Sequence, residues 1–399
     1  MVHPGMIIIY AIGIFMALLS RAFIPHLSTW FPVALPPQDR YVSSSLAVNN
    51  DHCRMVFGAE GCEDVAIDKI TGDVYMGCGS VEGRKLFYPP QNHHVVRPIY
   101  KQQPMRDSVI IFDPASEQLK TLELRGVAAN SDLIWHGMSV FYPPDKPDTR
   151  VLFFVNHQRG SSVISVFNYT IGTDYLQFVS DVISPLIVTP NAVVAVSETS
   201  FYITNDHMFR KGMARIVEDT YGPFLWSNIV YCEFKAGVSM SKCSVKQKGF
   251  SYANGIMLVD EGKKLVVTDT RLAKYSVFNV DPLTHDLDLE LAVSAHTSLD
   301  NISELPSGDI LVSAFPNGSS IWPKIEAPFD PEITSESMTL LLKKDEAFAI
   351  PHVVFWDDGK VMSVMTSASY EVRTQKLIGG GVCAPGILVC DINKSVFGL

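Results

Sequence analysis

The chain has 399 residues, 47% of them hydrophobic, with 42 acidic against 32 basic side chains and a formal net charge of -10. That hydrophobic share supplies a large, well-buried core, and an acidic chain without basic clusters argues against nucleic acid as a partner. The balance accommodates a bound cation without demanding one.

At the N-terminus, Met6 to Leu19 is a nearly unbroken apolar run, uncharged from Met1 to Ser20 and followed by Arg21. It is short for a membrane span and fits the hydrophobic region of a secretory signal. Residues 1–21 are therefore read as a signal peptide or signal anchor, with a buried N-terminal helix as the rival. Residues 22–50 form a lead-in and 51–399 a single β domain. This predicts passage through the secretory pathway to a protein that is either secreted or anchored in a membrane by its N-terminal segment.

Sequons occur at Asn168, Asn301, Asn317 and Asn393, and Asn168, Asn317 and Asn393 are the glycosylation candidates. The seven cysteines lack the paired spacing of a zinc site, and their odd number leaves at least one free thiol if the others pair within the chain.

After Val33, short runs rich in Val, Ile, Phe and Tyr alternate with Gly, Pro, Asp and Ser turns. Examples are Val74–Met76, Val109–Phe112, Val151–Val155, Leu265–Val267 and Ile310–Val312. Helix is expected only locally, around Asp181–Ile187 and Gly212–Trp226. No strand–helix alternation supports a doubly wound parallel sheet.

Within this β pattern lies a repeat. Glu63-Asp64, His136-Gly137, Asn191-Ala192, Asn254-Gly255 and Asp300-Asn301 each open an apolar strand that is followed by a polar turn and a second strand. The five starts lie roughly 45 to 75 residues apart, which is blade-sized with insertions. Met362–Met365 and Ile387–Cys390 are expected to supply strands of a sixth blade. The fold class is all-β, a six-bladed β-propeller behind an N-terminal hydrophobic segment. Blades radiate from one channel, so the residues opening their inner strands converge there.

Glu63, Asn191, Asn254, Asp300 and Asn301 offer only hard oxygen donors, a set that suits Ca²⁺ and not zinc. An ion held there could polarise a carbonyl and stabilise an oxyanion. His136 opens the second repeat, and His157 follows the strand paired with it. Both could reach the same end, where imidazole is the side chain best poised as a base near neutral pH; a structural role is the alternative. Asn205 and Asp206, beside His207, are read as a turn or as loop ligands. His93-His94 reads as a solvated loop. No nucleophile elbow, phosphate-binding loop or His-Glu-x-x-His occurs.

From about Cys53 to Cys390, the sequence resembles the paraoxonase/arylesterase family. The motifs are Gly-Cys-Glu63-Asp64, Trp-His136-Gly-Met, Val-Asn-His157, Asn191-Ala-Val-Val-Ala-Val, Thr-Asn-Asp206-His, Tyr-Ala-Asn254-Gly-Ile, Leu-Asp300-Asn301-Ile-Ser and Phe-Pro-Asn317-Gly. The resemblance implies a six-bladed propeller with two calcium ions. The catalytic ion would be held by the five oxygen donors, and the structural ion by Asp64 and the backbone carbonyl of Met138. Ala192 stands where the family has an Asp, which weakens the deeper site because affinity follows ligand charge. The family's histidine pair falls on His136 and His157, and a third pocket histidine is replaced by Phe315. A disulfide joining the two ends is implied between Cys390 and Cys53, with Cys62 the alternative. The segment Val81–Gln103 has no recognised counterpart.

These readings predict a calcium-dependent hydrolase of carboxylic esters, lactones or aryl esters above all, acting on a small-molecule substrate. The alternatives are a strictosidine synthase-like propeller enzyme working without this metal and a non-enzymatic secreted binding propeller.

Overall fold

In a computed structural model, residues 47–91, 101–221, 224–236 and 238–399 are described. The N-terminal apolar run, the lead-in up to residue 46 and His93-His94 lie outside the described residues. Among the described residues, twenty-four strands form six four-stranded antiparallel blades. The first comprises β2 (Cys62–Ile67), β3 (Val74–Cys78), β4 (Ser108–Asp113) and β5 (Gln118–Arg125). The second comprises β6 (Trp135–Phe141), β7 (Thr149–His157), β8 (Ser162–Thr170) and β9 (Tyr175–Val182). The third runs through β10 (Pro190–Ser197), β11 (Ser200–Asn205), β12 (Ser227–Lys235) and β13 (Val238–Phe250). Next come β14 (Ala253–Val259), β15 (Lys264–Asp269), β16 (Lys274–Val280) and β17 (Leu287–Ser294), then β18 (Ser298–Glu304), β19 (Ile310–Phe315), β20 (Ser337–Leu342) and β21 (Pro351–Asp357). The sixth blade takes β22 (Ser367–Glu371), β23 (Lys376–Gly380) and β24 (Gly386–Asp391), and is completed by β1 (Cys53–Phe57) from the other end of the chain.

The innermost strands β2, β6, β10, β14, β18 and β22 pack against one another in cyclic order, which closes the propeller. Second strands such as β3, β11 and β19 are buried along their whole length, whereas the outer β5 and β17 alternate between covered and exposed positions. This is the burial gradient of sheets stacked face to face around an axis. Val266, Tyr275 and Val277 of the fourth blade share one core cluster with Val312, Met338 and Leu340 of the fifth. Blades one and two are also joined at their outer edges, where β5 and β9 run parallel.

Three disulfides link directly paired residues of neighbouring strands: Cys53–Cys390, Cys62–Cys78 and Cys232–Cys243. Cys62 is therefore excluded as the partner of Cys390, and Cys383 is left free and buried. Two local expectations are corrected. Asp181–Ile187 is not helical: Asp181 pairs with Ser165 in the β8–β9 ladder and accepts its hydroxyl at 2.6 Å, and the segment ends in a turn closed by Ile187 N to Ser184 O. Met362–Met365 is not a strand, because Ser337 donates its hydroxyl to Met362 O and accepts from Met365 N, and Val364 has a positive φ of 56°. The helix expected within Gly212–Trp226 is present as Met213–Tyr221.

Candidate active site

The polar residues opening the inner strands sit on β-bulges. In five blades the inner strand advances three residues while its partner advances two, between Cys62/Val65, Trp135/Met138, Pro190/Val193, Ala253/Ile256 and Leu299/Ile302. The paired residues left out of register are Glu63-Asp64, His136-Gly137, Asn191-Ala192, Asn254-Gly255 and Asp300-Asn301. A bulge re-aims a side chain that regular pleating would point elsewhere. The sixth blade pairs in unbroken register from Ser367 to Glu371, and it supplies hydroxyls instead. Thr366 and Ser367 donate to Glu63 O at 2.5 and 3.0 Å. Thr204 likewise donates to Asn254 O at 2.6 Å, and Thr268 to Asp300 O at 2.8 Å, so the first, fourth and fifth bulges are each held by a hydroxyl of the preceding blade.

Glu63, His136, Asn191, Asn254 and Asp300 line one pocket of about 120 Å³. All are buried, as is Asn301. Asn301 Nδ2 donates to Glu63 Oε1 at 2.8 Å, Asn254 Nδ2 to Thr270 Oγ1 at 2.9 Å, and Asn191 Nδ2 to Asp206 Oδ2 at 3.3 Å. The opposite oxygens have no hydrogen-bond partner: Glu63 Oε2, Asn191 Oδ1, Asn254 Oδ1 and Asp300 Oδ1 are all buried and unsatisfied. Burial, then the charge of Glu63, pushes the Asp300 carboxyl well above the usual range, and the same two causes raise Asp64. Asp64 accepts Met138 N at 2.9 Å, while at Ala192 no carboxylate joins it. Among the described residues, no three His, Cys, Asp or Glu side chains form a metal-holding group; this ring is built largely from carboxamides.

The histidines of β6 and β7 meet beside the ring. His136 Nδ1 lies 3.0 Å from His157 Nε2, and His157 Nδ1 lies 2.9 Å from Ser162 Oγ. His136 Nε2 faces Glu63 Oε1 at 3.5 Å. Burial, reinforced by the charge of His136, holds the His157 imidazole well below its ordinary pKa.

Two features came from segments outside the repeat. The first is the insertion after β3, which forms α1 (Val81–Leu86) and a tight turn at Pro89–Gln91. Its Arg84 donates to Gly61 O at 2.8 Å and Trp135 O at 2.9 Å, bracing the strand starts of blades one and two. Its Tyr88 lies edge-on to both histidines, with ring centroids 5.4 and 6.0 Å away. The second is α2 (Met213–Tyr221), whose Arg215 and Asp219 reach the pocket beside His207. The helix of the second was expected from the sequence, but neither segment belongs to the strand repeat, so that pattern could not assign their side chains to the site. Packed in one cluster with Val81, Phe87 and Tyr88 of the first insertion, Phe315 joins Ile321, Trp322 and Ile325 of α3 (Ile321–Glu326) in an apolar wall.

Asn168, Asn317 and Asn393 are exposed, whereas Asn301 is buried in the ring. No helix among the described residues is long and apolar enough to cross a membrane.

The sequence model of the family described as Arylesterase matches residues 100–392. Serum paraoxonase/arylesterase 2 of Bos taurus is 30% identical over 278 residues, covering 68% of this chain and 73% of that protein. Serum paraoxonase/lactonase 3 of Mus musculus is 25% identical over 351 residues, covering 87% and 90%. A solved luciferin-regenerating enzyme is similar in fold, with a TM-score of 0.51 and 9% identity over 84% of this chain and 94% of the other.

Proposed function

This chain belongs to the arylesterase family and is an ester-hydrolysing enzyme, and from that premise we propose that it is a calcium-dependent hydrolase of lactones and aryl esters. The observation that carries the reading is the set of four buried oxygens without partners, on Glu63, Asn191, Asn254 and Asp300. An unsatisfied buried acceptor costs about 1–3 kcal/mol, and more when charged. Four aimed into one pocket fit a hard cation that takes many oxygens in flexible geometry. Glu63, Asn191, Asn254, Asp300 and Asn301 would hold it. A metal-free propeller enzyme does not account for these oxygens, and the arylesterase and lactonase relatives weigh against a non-enzymatic binding propeller. A second ion at Asp64 and the Met138 carbonyl would bind more weakly for want of a carboxylate at Ala192.

Bound calcium would supply a Lewis acid that polarises the ester carbonyl and offsets charge on the tetrahedral oxyanion. The base is His136. Because His157 stays neutral, its Nδ1–H can donate to Ser162 Oγ while its Nε2 accepts from His136 Nδ1–H. That tautomer leaves the Nε2 lone pair of His136 directed at the ring, ready to take a proton from water. The positive charge it gains lies 3.5 Å from Glu63. Phe315, Trp322 and their neighbours would receive the hydrocarbon part of the substrate.

We further propose passage through the secretory pathway, by residues 1–21, to a secreted or membrane-anchored product with glycans at Asn168, Asn317 and Asn393. Three disulfides support an oxidising compartment.

The test is lactone and aryl-ester turnover, with melting temperature, before and after chelation. Loss of turnover and a lower melting temperature, both restored by calcium, are expected because a ligand of the folded state stabilises it. Unchanged values after thorough chelation would overturn the reading.

A further inference from the structure

Beside the ring lies a chain of buried polar side chains leading away from it. Asn191 Nδ2 donates to Asp206 Oδ2 at 3.3 Å, and the other oxygen of Asp206 lies 2.8 Å from His207 Nδ1. The second ring nitrogen of His207 lies 2.9 Å from Asp219 Oδ1, an ion-pair distance without the alignment of a hydrogen bond. Asp219 in turn accepts from Arg215 Nε at 2.9 and 3.0 Å, and Arg215 Nη2 donates to Pro90 O at 3.0 Å. Every member from Asn191 to Arg215 is more than nine-tenths buried. The chain therefore runs from the third blade's bulge, across helix α2, to the turn that follows α1.

The chemistry of this chain fixes which way the Asn191 amide faces. An ionised carboxylate only accepts hydrogen bonds, so Asp206 requires N–H groups from both neighbours. It selects Nδ2 of Asn191 and thereby leaves Oδ1, the atom without a partner, for the ring. A flipped amide would set oxygen against carboxylate and N–H against the cation. His207 keeps Asp206 in that position, and Asp219 with Arg215 keeps His207 in place from α2. Tyr252 packs edge-on to the imidazole, with centroids 4.8 Å apart.

We propose that His207 is a positioning residue, through which α2 sets the orientation of the ring oxygen of Asn191 and so the calcium affinity of the site. The inference rests on the reading of Asn191 as a ligand. Groups that orient metal ligands without touching the metal typically contribute about 10–100-fold in affinity.

The experiment is calcium titration of the full chain against a competing fluorescent chelator, for His207→Gln, Asp219→Asn and Asn191→Ala, singly and paired. His207→Gln and Asp219→Asn are each expected to weaken binding about tenfold or more, and to add little in the Asn191→Ala background, because coupled residues do not act additively. If His207→Gln fails to fold, Asp219→Asn, at the outer end of the chain, carries the same comparison. Undiminished affinity in Asp219→Asn, or a full additive loss beside Asn191→Ala, would overturn the inference while leaving the ligand reading intact. Undiminished affinity in Asn191→Ala would overturn both.

Discussion

At the residue scale, the two histidines separate by what each nitrogen meets. His136 presents Nε2 to the pocket, and His157 has both nitrogens engaged, one by His136 and one by Ser162. His136→Gln keeps a polar side chain but removes the base. Turnover of lactones is expected to fall about 10²–10⁴-fold, the usual contribution of a positioned base. Calcium affinity should stay within a few-fold, because no ring oxygen is lost. Activated aryl esters should suffer less, since oxyanion stabilisation persists; full lactone turnover in the variant would remove His136 from the mechanism. His157 has a measurable signature in stability. Its folded pKa lies below the ordinary value of 6.5, chiefly through burial. Above that pH both folded and unfolded states are neutral there. As pH falls below it, the unfolded chain binds a proton that the folded one does not. Unfolding is thereby favoured by up to about 1.4 kcal/mol per pH unit until the folded pKa is reached. Urea unfolding of wild type and His157→Gln at pH 7.5 and 5.5 reads this directly. The wild type should lose more stability on acidification; equal losses would mean that His157 is not buried neutral.

At the element scale, the site is a property of five bulges. The second bulge residue packs against the next blade, which explains glycine at two of these positions. A Cβ on Gly255 would come 2.6 Å from Asp300 O and 2.9 Å from Asn301 Cα. One on Gly137 would meet Ala192 Cα and Asn191 O, each at 2.6 Å. Gly255→Ala is therefore expected to destabilise by about 1–3 kcal/mol and to weaken calcium binding by displacing Asp300. Gly160→Ala, where the added carbon meets nothing within 4 Å, is the control for both measurements. Equal behaviour of the two variants in thermal melts and calcium titration would refute the bulge argument. The bulges also show why so much of the ring was legible in the sequence. A polar pair breaking into an apolar strand is visible without coordinates, and its recurrence marks a shared place in the fold. Arg215, Asp219 and Tyr88 were not legible, because they come from insertions between second and third strands whose sequences share no residue pattern with one another. Asp181–Ile187 misled for a different reason: its pattern is compatible with a short helix, but the ladder to β8 and the Ser165–Asp181 bond decide in favour of strand.

At the scale of the whole molecule, closure depends on a strand borrowed from the beginning of the chain. β1 pairs with β24 from Cys53–Cys390 to Phe57–Gly386 and forms the outer edge of the sixth blade. The Cys53–Cys390 bond spans 337 residues, against 16 for Cys62–Cys78 and 11 for Cys232–Cys243. In the chain-entropy account, a bond restricts the unfolded state more as its loop lengthens, and loops of these extremes differ by about 3 kcal/mol. Replacing both Cys53 and Cys390 by Ser should therefore destabilise the protein by about 2–5 kcal/mol, and by more than the matching Cys232 and Cys243 pair. The inner strands are held by contacts around the channel and by the hydroxyls of Thr204, Thr268 and Thr366, none of which involves β1. Calcium affinity of the folded protein should consequently survive loss of the terminal bond. Urea unfolding of the two double variants, with calcium titration of each, tests both halves. Equal destabilisation would show that loop length does not govern these bonds. A loss of calcium affinity confined to the Cys53/Cys390 variant would mean that the outer edge of the sixth blade reaches the ring, through the hold of Thr366 and Ser367 on Glu63.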